Sequence, residues 1–281
     1  MADEGDDGGG SEREREHDHD RERTADGDAA ESETTGGEAY LLTAVEHDRE
    51  YLRRPGDRLE TDVGVLEVPG DVAPGDRLET HLGAAFAVRA LRGPDLFDHL
   101  ERTGAPMLPR DVGLVMGLTG AGVGDRALDA GTGTGVLAIY LGRAGVDVTT
   151  YERDPEFASV ARENVARAGV ADRVDVREGD LLAAVEDRDL DAVDLLTLDT
   201  EDAAAAVERA PDLLVEGGYA VAYCPFVERA REVESRAREA GLRVETRETI
   251  QREMDFDERG SRPTTAGVGH TGYLVVARRR S

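Results

Sequence analysis

Three carboxylates and one run of glycines in this sequence fall where a nucleoside could be bound. Gly131-Thr132-Gly133-Thr134-Gly135 follows Ala127-Leu128-Asp129-Ala130, an apolar segment that reads as a buried strand, and precedes residues 136–143, which read as a helix. Glycines admit positive φ and remove the Cβ atoms that would hold a ligand away from the backbone. Unpaired N–H groups at the start of the following helix then face that ligand and suit a carboxylate. Glu152 ends the next strand, residues 146–151, where an acid can accept both hydroxyls of a ribose. Asp180 closes the third, from Val174 onward, where a carboxylate can accept a hydrogen bond from an adenine amino group. Asp199 ends the fourth, Leu195-Leu196-Thr197-Leu198, and open α/β sheets bind ligands outside that carboxyl edge. Each feature alone has an ordinary reading: a strand-to-helix turn, a solvated strand-end acid or, for Asp199, the N-cap of a helix over residues 201–209. Their joint order points to a nucleoside site.

The elements that must position these residues alternate as strand and helix over residues 127–130, 136–143, 146–151 and 155–168. Asp154 is placed to cap the last of these helices, with Pro155 at its first position and Gly169 beyond its end. Residues 191–198 and 218–224 read as further strands, 226–240 as a helix stopped by Gly241, and 242–250 and 271–278 as closing strands. No helix separates the closing pair, so the last strand is expected to run antiparallel. The spacing G-x-G-x-G also differs from the G-x-G-x-x-G of dinucleotide sites. The expected fold of residues 125–281 is therefore α/β, with a Rossmann-like seven-stranded sheet and an antiparallel last strand. Ahead of it, residues 39–92 read as a small β-domain with strands at 40–45, 62–68 and 78–91 and turns at Pro55-Gly56-Asp57 and Pro74-Gly75-Asp76. So short a segment buries little core alone and should pack on the larger domain or on a neighbouring subunit. Residues 93–124 form a connector with helices expected at 95–101 and 112–118.

The chain of 281 residues carries 61 acids against 34 basic residues, all of them arginine, for a net charge of −27. A lysine-free, carboxylate-rich surface suits concentrated salt, where the Debye length falls to about 3 Å and self-repulsion is screened. Net charge is then a poor guide to partners. Residues 1–38 hold 15 of the acids and four arginines and are expected to be a disordered acidic tail. His17 and His19 belong to that solvated tail rather than to a metal site, and no metal is expected. One cysteine, Cys224, excludes an internal disulfide and a cysteine-based cluster. No apolar run approaches the ~20 residues that cross a bilayer, and no signal peptide heads the chain, so a cytoplasmic location is expected.

The glycine loop, Glu152 and Asp180 together resemble the S-adenosylmethionine pocket of class I methyltransferases. Arg252-Glu253-Met254, Arg262-Pro263 and Gly269-His270-Thr271-Gly272-Tyr273-Leu274 then resemble the tail of the tRNA (adenine-N1)-methyltransferase family, which modifies T-loop adenosines. The resemblance spans residues 40–279 and includes Pro109-Arg110-Asp111 and Tyr223-x-Pro225. It implies S-adenosylmethionine as cofactor, held by Asp129, Gly131, Thr132, Gly133, Gly135, Glu152, Arg153, Asp180 and Asp199. It also implies that Asp199 lies between cofactor and target base, with His270 and Thr271 brought nearby. Transfer to adenine N1 needs no strong base, because the lone pair is already the nucleophile; a carboxylate that accepts from the exocyclic amine would position the base and stabilise its developing charge. The implied partner is tRNA, contacted by Arg252, Arg262, Arg278 and Arg279, and the implied assembly is a homotetramer. Residues 278–280 read equally as a solvated chain end. The family's Leu-Pro after the aspartate is Thr200-Glu201 here, its connector tyrosine is Leu108, and its glutamine after Tyr-x-Pro is missing. Those departures keep open a methyltransferase for another RNA base or a small molecule. A non-catalytic tRNA-binding subunit is a further alternative.

Overall fold

A computed structural model describes residues 38–46, 49–187, 191–264 and 269–280. His17, His19 and the rest of residues 1–37 lie outside the described residues. The described residues cluster as one compact unit.

Its first part holds β1 (Tyr40–Ala44), β2 (Glu50–Arg53), β3 (Arg58–Thr61), β4 (Gly64–Glu67), β5 (Arg77–Glu79) and β6 (Ala85–Ala90). Four of these form an antiparallel sheet in the order β2-β1-β6-β5, and β3 pairs with β4 as a hairpin. Leu42, Leu59, Leu66, Phe86 and Val88 fill the core between them. The single strand expected over 62–68 is instead half of that hairpin, because the chain reverses at Asp62-Val63 into Gly64, whose φ is 117°. Ala39 N–H donates to the Arg167 carbonyl at 3.0 Å, and Arg54 pairs with Glu163 at 2.7 Å. This part of the chain thus contacts the helix that carries Glu163 and Arg167.

The remainder runs α1 (Gly93–His99), α2 (Pro109–Thr119), β7 (Arg126–Ala130), α3 (Val136–Arg143), β8 (Asp147–Glu152), α4 (Pro155–Arg167), β9 (Val174–Glu178), α5 (Leu181–Asp187) and β10 (Val193–Leu198). It continues with α6 (Ala203–Glu208), α7 (Ala210–Leu213), β11 (Leu214–Cys224), α8 (Val227–Glu239), β12 (Arg243–Glu248), β13 (Met254–Asp257), β14 (Gly260–Pro263) and β15 (Tyr273–Arg278). The large sheet has the order β12-β15-β11-β10-β7-β8-β9, and β15 is antiparallel to both neighbours. A class I methyltransferase architecture follows. Successive strand residues serve opposite faces: Ala127, Leu195 and Val221 share a core with α2, α3 and α4, while Leu128, Leu196 and Ala220 share one with α6, α7 and α8.

Local signals explain the boundaries near the site. Asp154 caps α4 by accepting from Glu156 N–H at 2.8 Å and Phe157 N–H at 3.3 Å. Asp199, in contrast, caps no helix: α6 begins only at Ala203, and its N-cap residue is Asp202. The intervening Thr200-Glu201-Asp202 is a loop, which frees the Asp199 carboxylate. Among the described residues no helix is long and apolar enough to cross a membrane.

Candidate active site

The carboxyl ends of β7, β8, β9 and β10 converge on a cavity of about 400 Å³. Asp129, Gly131, Thr132, Gly133, Glu152, Arg153, Asp180 and Asp199 all line it, so eight of the nine residues expected at a cofactor meet in one place. Gly135 does not line it. With φ of 85° it turns the chain into α3 as the N-cap residue, against Ala161.

A buried chain of hydroxyls holds the glycine loop. Thr150 and Thr197 stand directly beside Asp129 in the sheet register and donate to its two carboxylate oxygens, each at 2.5 Å, and the Thr132 hydroxyl lies 2.5 Å from that of Thr150. Asp129 therefore braces three strands, each of its oxygens accepting from one threonine at the wall of the cavity. Burial raises its pKa, the two hydroxyls pull it back, and the charge of Glu152 raises it further. Thr197→Val would leave one buried oxygen without its donor. A loss of about 1–3 kcal/mol in stability is expected, read as a lower thermal midpoint; an unchanged midpoint would contradict this bracing role.

Glu152 also braces the loop: its Oε2 accepts from Gly133 N–H at 2.9 Å and its Oε1 from Asp154 N–H at 3.1 Å. Asp180 Oδ1 accepts from Ala183 N–H at 3.0 Å, so it caps α5 while facing the cavity. Gly131 is packed on the backbone of Asp199. A Cβ there would sit 2.0 Å from the Asp199 carbonyl oxygen, and Asp199 N–H in turn donates to Ala130 at 2.8 Å.

Asp199 also lines a second cavity, of about 300 Å³, with Thr200, Glu201, Tyr223, Pro225, Phe226 and Arg229. Loss of hydration pushes its carboxyl up to about 7, and the charges of Asp129 and Glu152 add to the rise. The residue remains open to water along the cleft, which offsets part of that desolvation. Burial pushes the Cys224 thiol up to about 11, leaving it a packed side chain rather than a nucleophile.

His270 and Thr271 line neither cavity but tie the C-terminal loop beside the second. His270 Nδ1 is 2.7 Å from Glu248 and its Nε2 is 3.3 Å from the Pro225 carbonyl; the Glu248 carboxylate, then that carbonyl, raises its pKa. The Thr271 hydroxyl accepts from Arg110 at 2.9 Å and donates to Asp111 at 3.0 Å, while Tyr223 donates to the Thr271 carbonyl at 2.6 Å. Gly272 permits this closure, because a Cβ would lie 2.5 Å from the Tyr223 ring. Both residues thus hold Tyr223 and Pro225 in place.

The expected RNA-binding arginines divide between two ends of the sheet. β12 ends at Glu248 beside Tyr273, so Arg252 and Arg262 lie on the excursion that leaves the carboxyl edge. Antiparallel β15 carries Arg278 and Arg279 to the opposite edge, away from the two cavities. There Arg278 donates to the Gly217 carbonyl at 3.1 Å and covers the Tyr219 ring, and Arg279 donates to the Leu214 carbonyl.

Sequence reasoning missed the connector 103–107, which walls the first cavity. Asn164 pins it: fully buried, it donates to the Glu101 and Thr134 carbonyls at 2.8 and 2.9 Å and accepts from Glu101 N–H at 3.2 Å. Polar Asn164 inside the otherwise apolar face of α4 was the available signal. Phe226, 67% exposed at the second cavity, was missed as well.

Comparison with known proteins accords with this geometry. The methyltransferase-domain family matches residues 127–218. A tRNA (adenine(57)-N(1)/adenine(58)-N(1))-methyltransferase of Methanocaldococcus jannaschii is 31% identical over 85% of this chain and 95% of its own length. A tRNA (adenine(58)-N(1))-methyltransferase of Thermus thermophilus is 31% identical over 64% of this chain and 72% of its own. Among solved structures, a SAM-dependent O-methyltransferase from Thermotoga maritima superposes with a TM-score of 0.71 at 25% identity, over 88% of this chain and 95% of that one. The tRNA (m1A58) methyltransferase of Aquifex aeolicus shares the fold, with a TM-score of 0.65 at 21% identity over 89% of this chain and all of its own. With a match of that identity running nearly the full length of the archaeal relative, the chain belongs to the TrmI family of tRNA (adenine-N1)-methyltransferases.

Proposed function

We propose that this protein transfers the methyl group of S-adenosylmethionine to N1 of adenosine in the T loop of tRNA, at positions 57, 58 or both. The observation that carries the reading is the place of Asp199, which walls two adjoining cavities at the carboxyl edge. The first cavity gathers Glu152, Asp180, Asp199, Glu201 and Asp202 around the guanidinium of Arg153. Such a rim favours a ligand with positive charge, and S-adenosylmethionine carries a sulfonium and an ammonium. N–H groups at the start of α3, which the helix leaves without an internal acceptor, receive its carboxylate. Asp180 serves its adenine, while Glu152 shapes the loop and offers its remaining lone pairs to the ribose.

The second cavity takes the target base, with Phe226 as an apolar face and Asp199 at its boundary. The N1 lone pair attacks the methyl carbon; the N1–C bond forms as the S–C bond breaks, and S-adenosylhomocysteine leaves. Positive charge passes from sulfur to the base. The Asp199 carboxylate, accepting from the exocyclic amine, orients N1 and stabilises that charge as it arrives.

This role requires the ionised carboxylate, whose pKa is raised to about 7 in the free protein. kcat/KM is expected to rise as pH is raised through that value, because the carboxyl is protonated below it and cannot accept. The bound sulfonium favours the carboxylate, so the same limb should lie at lower pH in kcat. A flat profile in wild type would remove Asp199 from this role. The substrate assignment is tested with tRNA transcripts carrying guanosine in place of adenosine at 57 or 58; loss of methyl incorporation should follow the replaced position.

The same reading extends to features of the chain at large. The segment 39–92 acts as a β-domain joined by the connector 93–124 to the methyltransferase domain 125–281, and the protein works in concentrated salt in the cytoplasm. Ile250, Met254 and Phe256 are exposed on or beside the β13–β14 hairpin, which supports assembly into a homotetramer. Arg252 and Arg262, on that same excursion, are the better placed of the arginines to meet RNA phosphate.

A further inference from the structure

We infer that Arg153 is a positioning residue that clasps the loop dividing the two cavities, and that its hold on this loop, rather than a bond to the cofactor, is its part in methyl transfer. The inference rests on the function proposed above. Arg153 directly follows Glu152 at the end of β8. Its Nη1 donates to Asp202 Oδ2 at 2.9 Å, and its Nη2 donates to Thr200 Oγ1 at 3.2 Å and Glu201 Oε1 at 3.3 Å. Its Nε lies 3.8 Å from Asp180 Oδ2. One guanidinium therefore joins the loops that leave β8, β9 and β10.

The loop it holds is the one on which the reaction geometry depends. Thr200 and Glu201 follow Asp199 directly and wall both cavities. Little else about their residue types would fix them: Thr200 and Asp202 are half-buried, Glu201 is exposed, and burial begins only at Ala203. No proline stiffens the segment. Apart from the Thr200 hydroxyl accepting from Asp202 N–H at 3.4 Å, the side-chain contacts described for residues 200–202 go to this arginine. A planar fork of donors can serve three acceptors at once, which a lysine ammonium on a flexible stem does not match. Exposed ion pairs add little to stability, so the clasp should show in the placement of Asp199 rather than in the melting temperature.

Arg153→Ala and Asp202→Asn, each in the full-length protein, test this. Misplacing a reacting geometry by an ångström costs up to a hundredfold, so Arg153→Ala is expected to lower kcat about tenfold, with the dissociation constant of S-adenosylmethionine within about threefold of wild type. Asp202→Asn should lower kcat in the same direction, the double variant should lose little more than Arg153→Ala alone, and Arg153→Lys should recover little. Hydrogen exchange of the amides of residues 199–203 should quicken in Arg153→Ala with no RNA present. This readout separates the two claims: a wild type that methylates no adenosine ends the proposed substrate, whereas quickened exchange would still establish the clasp. Unchanged exchange would overturn it. So would a cofactor affinity that falls as far as kcat, since Arg153 would then be a cofactor ligand.

Discussion

Asp199→Ala is expected to lower kcat for methyl transfer by about a hundredfold or more, the scale seen when a group aimed at developing charge is removed. Cofactor affinity should change far less, because the glycine loop, Glu152 and Asp180 remain in the first cavity. Asp199→Asn keeps the shape but replaces an anionic acceptor with an amide, and it should lose most of the same factor together with the pH limb. Neither variant should be less stable. The folded state raises the Asp199 pKa to about 7, so its ionised form is disfavoured relative to the unfolded chain. Stability is accordingly lost as pH rises from the ordinary carboxylate range through about 7, and a neutral side chain removes that loss. Water reaches the carboxylate, so the gain above neutrality is limited to about 1 kcal/mol or less. A variant as active as wild type would refute the role; one that is inactive but unfolded would refute the stability argument.

Gly131→Ala should be the most damaging single methyl in the site. Gly131 has φ of 88°, and its added Cβ would stand 2.0 Å from the carbonyl oxygen of Asp199. Neither atom belongs to a flexible side chain, so β7 and β10 must separate or the glycine loop must move. Strain from the positive φ and overpacking together should cost about 3–5 kcal/mol. Loss of S-adenosylmethionine binding should accompany a lower denaturation midpoint, because Asp199 N–H also bonds back to Ala130 and the two loops move as one. Gly133→Ala offers the contrast. Its Cβ would find only the Thr103 hydroxyl, at 3.9 Å, so its cost is limited to the backbone conformation at φ of 51°. Equal damage from both substitutions would contradict the close approach as the cause.

The parts of the site legible in the sequence were those written in backbone chemistry. Glycines with positive φ at 131, 133 and 135, the Asp154 cap and strand-end acids all leave local marks, and two closing strands with no helix between them announced the antiparallel β15. What escaped depends on pairing across the fold. Asp129 was expected at the cavity and lines it, but its register beside Thr150 and Thr197, which makes it a brace, was not legible. Asp199 could have been a helix cap, but the helix starts at Ala203, and that distinction decides whether the carboxylate is free. Arg278 and Arg279 adjoin the Gly-His-Thr-Gly tail in sequence, while one antiparallel strand carries them to the far edge. Arg153 was expected to meet the cofactor; its acceptors lie on a loop nearly fifty residues further along the chain.

Methyl transfer to adenine N1 is read out by nucleoside analysis. The full-length protein is incubated at high salt with an unmodified tRNA transcript and methyl-labelled S-adenosylmethionine, and the RNA is digested and resolved by mass. Label is expected in 1-methyladenosine for wild type and should be lost in Asp199→Ala. Label in another nucleoside, or none despite measurable cofactor binding, would contradict it.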